Sequence, residues 1–327
     1  MLEGPKVITV DGTRGPILVS ADLHGNLADF ERLRELFLAS DARGEDPMWI
    51  SVGDWVHGPP DSGARRDVRD RYGEPLYAYR DDTPAILTAL FALMDRYPDR
   101  VLSICGNHEH AHIGGRLTQK FHRNEAAHLE AQLAPEAVAE LRRRFASWPV
   151  VIRIAACGIA LTHGAPIPAT VADFERTRFR RDDGAANDVL HSAMARYGFC
   201  RGEDRELLAR LSEPGCELSV LVHGHDREEE GYFPTGEAAL LLCTSFGARQ
   251  ARKTYLWLDR ARRYDSLAAL REGLELRRLW PAANARSAVD AGPGAPLESL
   301  ELGASPTGAD GMPTAEAPTQ PIAPITS

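Results

Sequence analysis

The sequence predicts an α/β fold in which polar side chains gather at the carboxyl ends of neighbouring strands. Five segments set Asp, Asn or His beside Gly: ADLHGN (Asp22, His24), GDWVHG (Asp54), GNHE (Asn107, His108), THGAP (His163) and HGHD (His223, His225). Each follows a short apolar run: ILVS at 17–20, WISV at 49–52, VLSIC at 101–105, IALT at 159–162 and LSVLV at 218–222. A run of that length followed by Gly reads as a buried strand ending in a sharp turn. In open α/β sheets such strand ends converge on the crevice where ligands bind.

Helical patterns separate these strands. After ADLHGN, Leu27, Phe30, Leu33 and Phe37 share one face, with Asn26 or Asp29 placed to cap. Residues 57–81 are rich in Gly, Pro and Arg and read as an irregular excursion. Ile86, Leu87, Leu90, Leu93 and Met94 predict a helix over 84–96. Further helices are expected around 124–133 and 135–147, then strands at 149–155 and 158–163 about the turn at Cys157-Gly158. The stretch 166–216 carries helical patterns near 184–197 and 203–212 and is expected to lie as a cap over one side of the site. Strands near 238–245 and 254–259 suggest a second sheet, and 261–281 looks helical. These limits make 1–281 one domain. From 282 to 327 the chain is Ala, Pro, Gly, Ser and Thr with few large apolar groups, so disorder is expected there.

Composition excludes several classes. Of 327 residues, 43% are hydrophobic and 26% charged, ordinary for a soluble globular protein. No run approaches the ~20 apolar residues of a membrane span, and the opening MLEGPKVITVDG lacks a secretory pattern. A net charge of −9 argues against dedicated nucleic-acid binding, which needs a basic footprint. Cys105, Cys157, Cys200, Cys216 and Cys243 are widely spaced and read as reduced thiols of a cytoplasmic protein.

The residue types in the five segments suit a pair of divalent cations. Asp54 is the natural anionic bridge, while Asp22 and His24 can reach one ion from a strand end that breaks into a loop. Asn107, His163 and one histidine of HGHD would then hold the second. Carboxylate, imidazole and amide oxygen suit manganese, iron, zinc, nickel or cobalt without selecting one, with manganese, iron or zinc expected. Two ions ~3.5–4 Å apart would acidify a bridging water and clamp phosphate oxygens for in-line displacement. His108, next to Asn107, can face a leaving group and donate a proton to it. Taken singly, an Asp-x-His or a GNHE could be a cap or a turn; five in series, each after a strand signal, argue otherwise. His110, His112, His122, His128 and His191 lack that setting and read as solvated surface or loop histidines.

The series resembles the calcineurin-like metallophosphoesterase superfamily, and within it the PPP-type serine/threonine protein phosphatases. The family pattern GDxHG appears as ADLHG, GDxxDRG as GDWVHGP, and GNHE is intact. The stretch YGFCRGEDRELLARLSEPGCELSVLVHGHDREEEGY is similar to the family's FG turn, helix, strand and Arg-Gly-His, with Gly231-Tyr232 beginning six residues after His225. The resemblance covers roughly residues 15–260. It implies a four-layer α/β sandwich of two mixed β-sheets flanked by helices. It implies Asp22 and His24 on one metal, Asp54 bridging, Asn107, His163 and His225 on the other, and His108 as general acid. It places His223 where the family keeps a phosphate-binding Arg, and Asn107 as a substrate contact too; in other branches of the superfamily His223 would itself be a ligand.

Two departures bear on substrate. His57 and Gly58 stand where GDxxDRG has the Asp that orients the acid and the Arg that grips phosphate. His57 and His223 would then be pH-dependent substitutes for phosphate contacts. Arg65, Arg66, Arg69 and Arg71 are candidate clamps, and Glu109 a candidate orienter of His108. Three readings follow: a PPP-like protein phosphatase using a metal-bridging hydroxide, a phosphodiesterase or dinucleoside-polyphosphate hydrolase of the same fold, and a non-catalytic regulatory module. The expected partner is a phosphorylated protein or small phosphoester.

Overall fold

Short apolar runs and amphipathic helices assemble as two sheets back to back. The computed structural model describes residues 2–63, 66–177 and 184–281; the tail expected to be disordered and Arg65 lie outside them. Met1–Ala283 forms one compact unit.

The strands are β1 Val7–Val10, β2 Pro16–Ser20, β3 Met48–Ser51, β4 Val101–Ser103, β5 Val151–Ile154, β6 Ile159–Thr162, β7 Val220–His223, β8 Tyr232–Pro234, β9 Ala239–Leu242, β10 Thr254–Asp259 and β11 Leu276–Arg278. A five-stranded sheet runs β11-β10-β2-β3-β4 and a six-stranded sheet β1-β5-β6-β7-β9-β8. Both are mixed. β2, β3 and β4 are parallel with β10 antiparallel to β2, while β6, β7 and β9 are parallel and β5 antiparallel to β6.

Alternation along each strand makes the layers. Ile17, Val19 and Ile50 of one sheet pack against Ile152, Leu161 and Val222 of the other. The opposite faces, with Leu18, Trp49 and Val101 on one sheet and Val151, Ala160 and Leu221 on the other, pack under helices. The helices are α1 Leu27–Ala42, α2 Thr83–Arg96, α3 Asn107–Ala111, α4 Glu125–Glu130, α5 Pro135–Ser147, α6 Val171–Arg176, α7 Gly184–Ala195 and α8 Glu203–Leu211. This is the four-layer α/β arrangement, helix on sheet on sheet on helix.

Local chemistry sets the helix starts. The Asn26 side chain caps α1 by accepting from Asp29 N at 3.3 Å, and α5 opens on Pro135, where a missing N–H costs nothing. Trp49 is fully buried among Phe30, Phe37 and Trp55, with its indole N–H donated to Ser20 Oγ at 2.9 Å. Trp49→Ala should therefore cost about 3–5 kcal/mol. Urea unfolding checks this, and a loss under about 1 kcal/mol would contradict the packing described.

Three expectations need correction. Residues 261–281 are not a helix. Gly273 has φ 81°, and Leu276–Arg278 pair with β10 as an edge strand, so sheet pairing overrides the leucine spacing. The runs near 238–245 and 254–259 do not share a second sheet: β9 joins the six-stranded sheet and β10 the five-stranded one. The described part of the stretch 166–216 is largely an outer layer. Leu207, Leu208 and Leu211 of α8 are buried and α6 ties to β1 through Glu175, which accepts from Lys6 N and Val7 N. Among the described residues of the stretch, His191, Met194 and Ala195 at the end of α7 and Tyr197 line the smaller cavity at the strand ends. Among the described residues no helix is long and apolar enough to cross a membrane.

Candidate metal centre

The loops leaving β2, β3, β4, β6 and β7 meet at one edge of the two sheets. Strained backbone marks the meeting point: Asp22, His24, Asp54, His57 and His225 have φ between 45° and 71°. With Asp46 they are the non-glycine residues with positive φ among those described. Such conformations cost of order 1–3 kcal/mol each and cluster where side chains must be aimed.

Asp54 is fully buried at the centre. Its Oδ2 lies 3.1 Å from His163 Nε2, 3.5 Å from His24 Nε2 and 3.9 Å from His108 Nε2. Backbone carbonyls aim two of these rings. His24 Nδ1 meets Val56 O at 3.1 Å and His163 Nδ1 meets Val52 O at 2.8 Å, leaving each Nε2 turned inward. Asn107 Oδ1 sits 3.0 Å from both His163 Nε2 and His225 Nδ1. Asp22 Oδ2 accepts from His225 N at 3.0 Å, while its Oδ1 is buried without a hydrogen-bond partner. Gly224 permits that approach, since a Cβ there would stand 2.3 Å from Asp22 Oδ1.

These residues fit a pair of divalent ions. The ligand atoms of His24, Asp54 and His108 lie within 4.8 Å of one another, as do those of Asp54, His163 and His225. Asp54 belongs to both groups, and Asp22 Oδ1, buried without a hydrogen bond, is free to accept a cation.

Proton affinities agree with that use. Burial lowers His24 to about 3, so it presents a neutral imidazole. Burial raises Asp22 to about 7. Burial works against charge on His163, but Asp54 and Asp22 outweigh it and raise the ring to about 9. Ligation needs an ionised Asp22 and a neutral His163. Affinity for a divalent ion should therefore rise with pH through about 7 and on toward about 9, and uptake at pH 7 should release protons. Calorimetry in buffers of different ionisation heat checks this; heats independent of buffer would contradict it.

Outside the ligands lies a chain of buried rings. His57 Nδ1 meets His108 Nδ1 at 2.9 Å, and His57 Nε2 meets His112 Nε2 at 2.9 Å. His112 Nδ1 donates to Glu130 Oε1 at 2.9 Å, and Arg142 holds the same carboxylate. Working back from Glu130, which can only accept, assigns His57 Nε2 as a donor and His108 Nδ1 as a donor. The relay fixes the His108 tautomer and turns its Nε2 toward Asp54. Glu130 keeps its charge because Arg142 and His112 outweigh its burial and hold it below the usual carboxylate range. His57, His108 and Glu125 also approach one another closely, with Glu125 Oε2 3.5 Å from His108 Nδ1.

Several expected roles change. Both nitrogens of His57 are engaged by histidines and the residue is 2% exposed, so its ring is turned toward His108 and His112. His223 is also turned aside, with Nε2 2.7 Å from Thr235 Oγ1 and Nδ1 3.0 Å from Gly224 O. Of the HGHD pair, His225 joins the cluster. Glu109 does not touch His108; its carboxylate accepts from Asp54 N, Trp55 N and Gly106 N and holds the two loops together. Arg66 donates to Pro60 O and Tyr79 O, Arg69 to Gly73 O and Arg71 to Glu229, so these arginines brace the excursion. His110 and His112 are buried, and His122 and His128 stack at 3.7 Å. Cys105, Cys157, Cys216 and Cys243 are buried and unpaired, and Cys200 is exposed.

Two cavities flank the centre, sharing Tyr197 and His225. One of about 240 Å³ opens on Asn107 and His108. The other, of about 650 Å³, is walled by Tyr77, Phe121 and Phe246 and carries Lys120 and Arg227. Sequence reasoning missed both cations; Arg227 lies two residues beyond a proposed ligand, while Lys120 sits in a loop with no strand-end signature.

No family model and no curated protein matches the chain. Among solved structures it is similar to a protein serine/threonine phosphatase from Saccharomyces cerevisiae, at 15% identity over 78% of this chain and 77% of that one, with a TM-score of 0.48. It is also similar to a metallophosphoesterase from Sphaerobacter thermophilus, at 16% identity over 75% and 84%, TM-score 0.37. A cold-active protein-tyrosine phosphatase of a Shewanella species is similar at 15% identity over 79% and 78%, TM-score 0.48. All three likenesses are distant. In the order of its motifs, its two mixed sheets and the Asp, Asn and His side chains gathered at their carboxyl ends, the chain resembles the calcineurin-like metallophosphoesterase superfamily.

Proposed function

We propose that this protein is a dimetal-dependent phosphoester hydrolase. The observation that carries the reading is the Asp54 carboxylate, buried between His24 on one side and His163 and His225 on the other. Asp22 and His24 would hold one ion, Asn107, His163 and His225 the second, and Asp54 both. When bound, such ions supply an activated water and neutralise phosphate charge.

The protein's own groups do the rest. Asn107 stands beside the cluster and can donate from its amide to a phosphate oxygen. His108 would act as an acid in its doubly protonated form: the Nδ1 proton is held by His57, and a second proton on Nε2, which burial disfavours, would be the one passed to a leaving oxygen in the cavity of about 240 Å³. The His57–His112–Glu130 chain keeps that ring from turning.

A phosphomonoesterase of the PPP-like serine/threonine type is the favoured subclass, supported by the intact GNHE and the register of His225 to Gly231-Tyr232. Gly58, where the family pattern has its first Arg, favours a second reading: a phosphodiester or dinucleoside polyphosphate, which presents less charge per phosphorus. Turnover of an aryl phosphomonoester beside an aryl phosphodiester, with manganese added back to stripped protein, separates them. Monoester preference is expected; diester preference would move the assignment to the second reading.

A further inference from the structure

The arginines of the family pattern are absent, yet a phosphate over two cations still needs donors on its outer oxygens. The cavity of about 650 Å³ beside His225 supplies two side chains of that kind. Lys120 Nζ lies 3.0 Å from His24 Nε2 and 3.9 Å from the centroid of Phe246. Arg227 Nη1 reaches Tyr77 Oη at 3.4 Å on the same cavity wall.

Both are held in place by specific contacts. Glu125 accepts from Phe121 N at 2.8 Å and fixes the loop that carries Lys120. The stem of Arg227 lies against Gly247, where an added Cβ would stand 2.7 Å from Arg227 Cβ. Tyr77 stacks on Phe246 at 5.0 Å with an 8° interplanar angle, and Phe121 closes edge-on at 5.4 Å. Phe246 lies against Lys120, while Arg227 stands exposed at the rim of the same cavity.

A metal ion on His24 and an ammonium hydrogen-bonded to the same nitrogen exclude one another. With an ion held on His24, Lys120, which also lines the cavity, would be free to turn toward the space between it and Arg227. We infer that Lys120 and Arg227 are the substrate-phosphate contacts of this site, in place of the family arginines, and that the cavity between them receives the phosphoryl group of an anionic phosphoester. The inference rests on the dimetal reading above. The bland alternative is that Lys120 only balances the charge of Asp22 and Asp54.

The test is inorganic phosphate binding to the manganese-loaded full chain, followed by calorimetry, with metal content measured on the same samples. Lys120→Met and Arg227→Gln should each weaken phosphate binding roughly 10- to 100-fold, with manganese content unchanged. Lys120→Arg should recover most of the affinity. Arg227 is exposed, so its substitution tests the inference even if Lys120→Met disturbs folding. Unchanged phosphate affinity with two manganese ions retained would overturn the inference and leave the dimetal reading standing. A Lys120→Met chain that changes its metal content but not its phosphate affinity would establish the charge-balancing role instead. Wild-type protein that takes up no manganese would remove both.

Discussion

Asp54→Asn is expected to abolish turnover and to release metal from both positions. The carboxylate is the one group shared by the two ligand clusters, and its Oδ2 lies within 3.9 Å of three histidine nitrogens. Replacing one oxygen by an amide removes the bridging anion while keeping the shape. Losing an outer partner of a ligand typically costs 10- to 100-fold in affinity, and losing the bridge should exceed about 100-fold. In the metal-free chain the change also removes the anionic partner of His163, which Asp54 and Asp22 hold protonated, so the unfolding midpoint should fall as well. Metal content by elemental analysis and the unfolding midpoint check both halves. Asp54→Asn protein that keeps two ions and near-normal turnover would refute the bridging role.

His108→Asn should behave differently. The ring stands at the edge of the cluster and opens on the smaller cavity, so metal content should stay near that of the wild type. Turnover should fall by roughly 10²–10⁴-fold, the usual worth of a positioned acid, and most steeply for poor leaving groups. A variant that loses its metal would transfer His108 to the ligand set. His57→Ala should give a smaller loss with the same leaving-group dependence, since His57 acts only by holding the ring at 2.9 Å. A loss without that dependence would mean His57 serves packing alone.

The strand ends were legible because three signals coincide there: an apolar run, a Gly turn and a metal-ligating side chain. Asp22, His24, Asp54, Asn107, His163 and His225 all carry them, and the fold brings all six to one edge. His57 carried the same local signal and pointed the other way. Its φ of 67° turns the ring inward to His108 and His112, and position in a motif does not encode that rotation. His112 and Glu130 were illegible for a related reason, since their roles arise from contacts between α3, α4 and α5 that no spacing reveals. The leucines of 267–276 are periodic enough for a helix, but Leu267–Ala269 make only a 3-10 turn and Leu276 pairs with β10. Lys120 belongs to the same class: a single charge in a loop is unremarkable until the fold sets it 3.0 Å from a ligand nitrogen.

The most direct measurement is to strip the full chain of metal, titrate manganese back and count ions bound while following hydrolysis of an aryl phosphomonoester. The geometry predicts no turnover in the stripped protein and a plateau at two ions per chain, reached at lower manganese as pH rises from about 6 to 8. Full turnover in stripped protein, or a chain that retains no ion at any pH in that range, would contradict the dimetal centre.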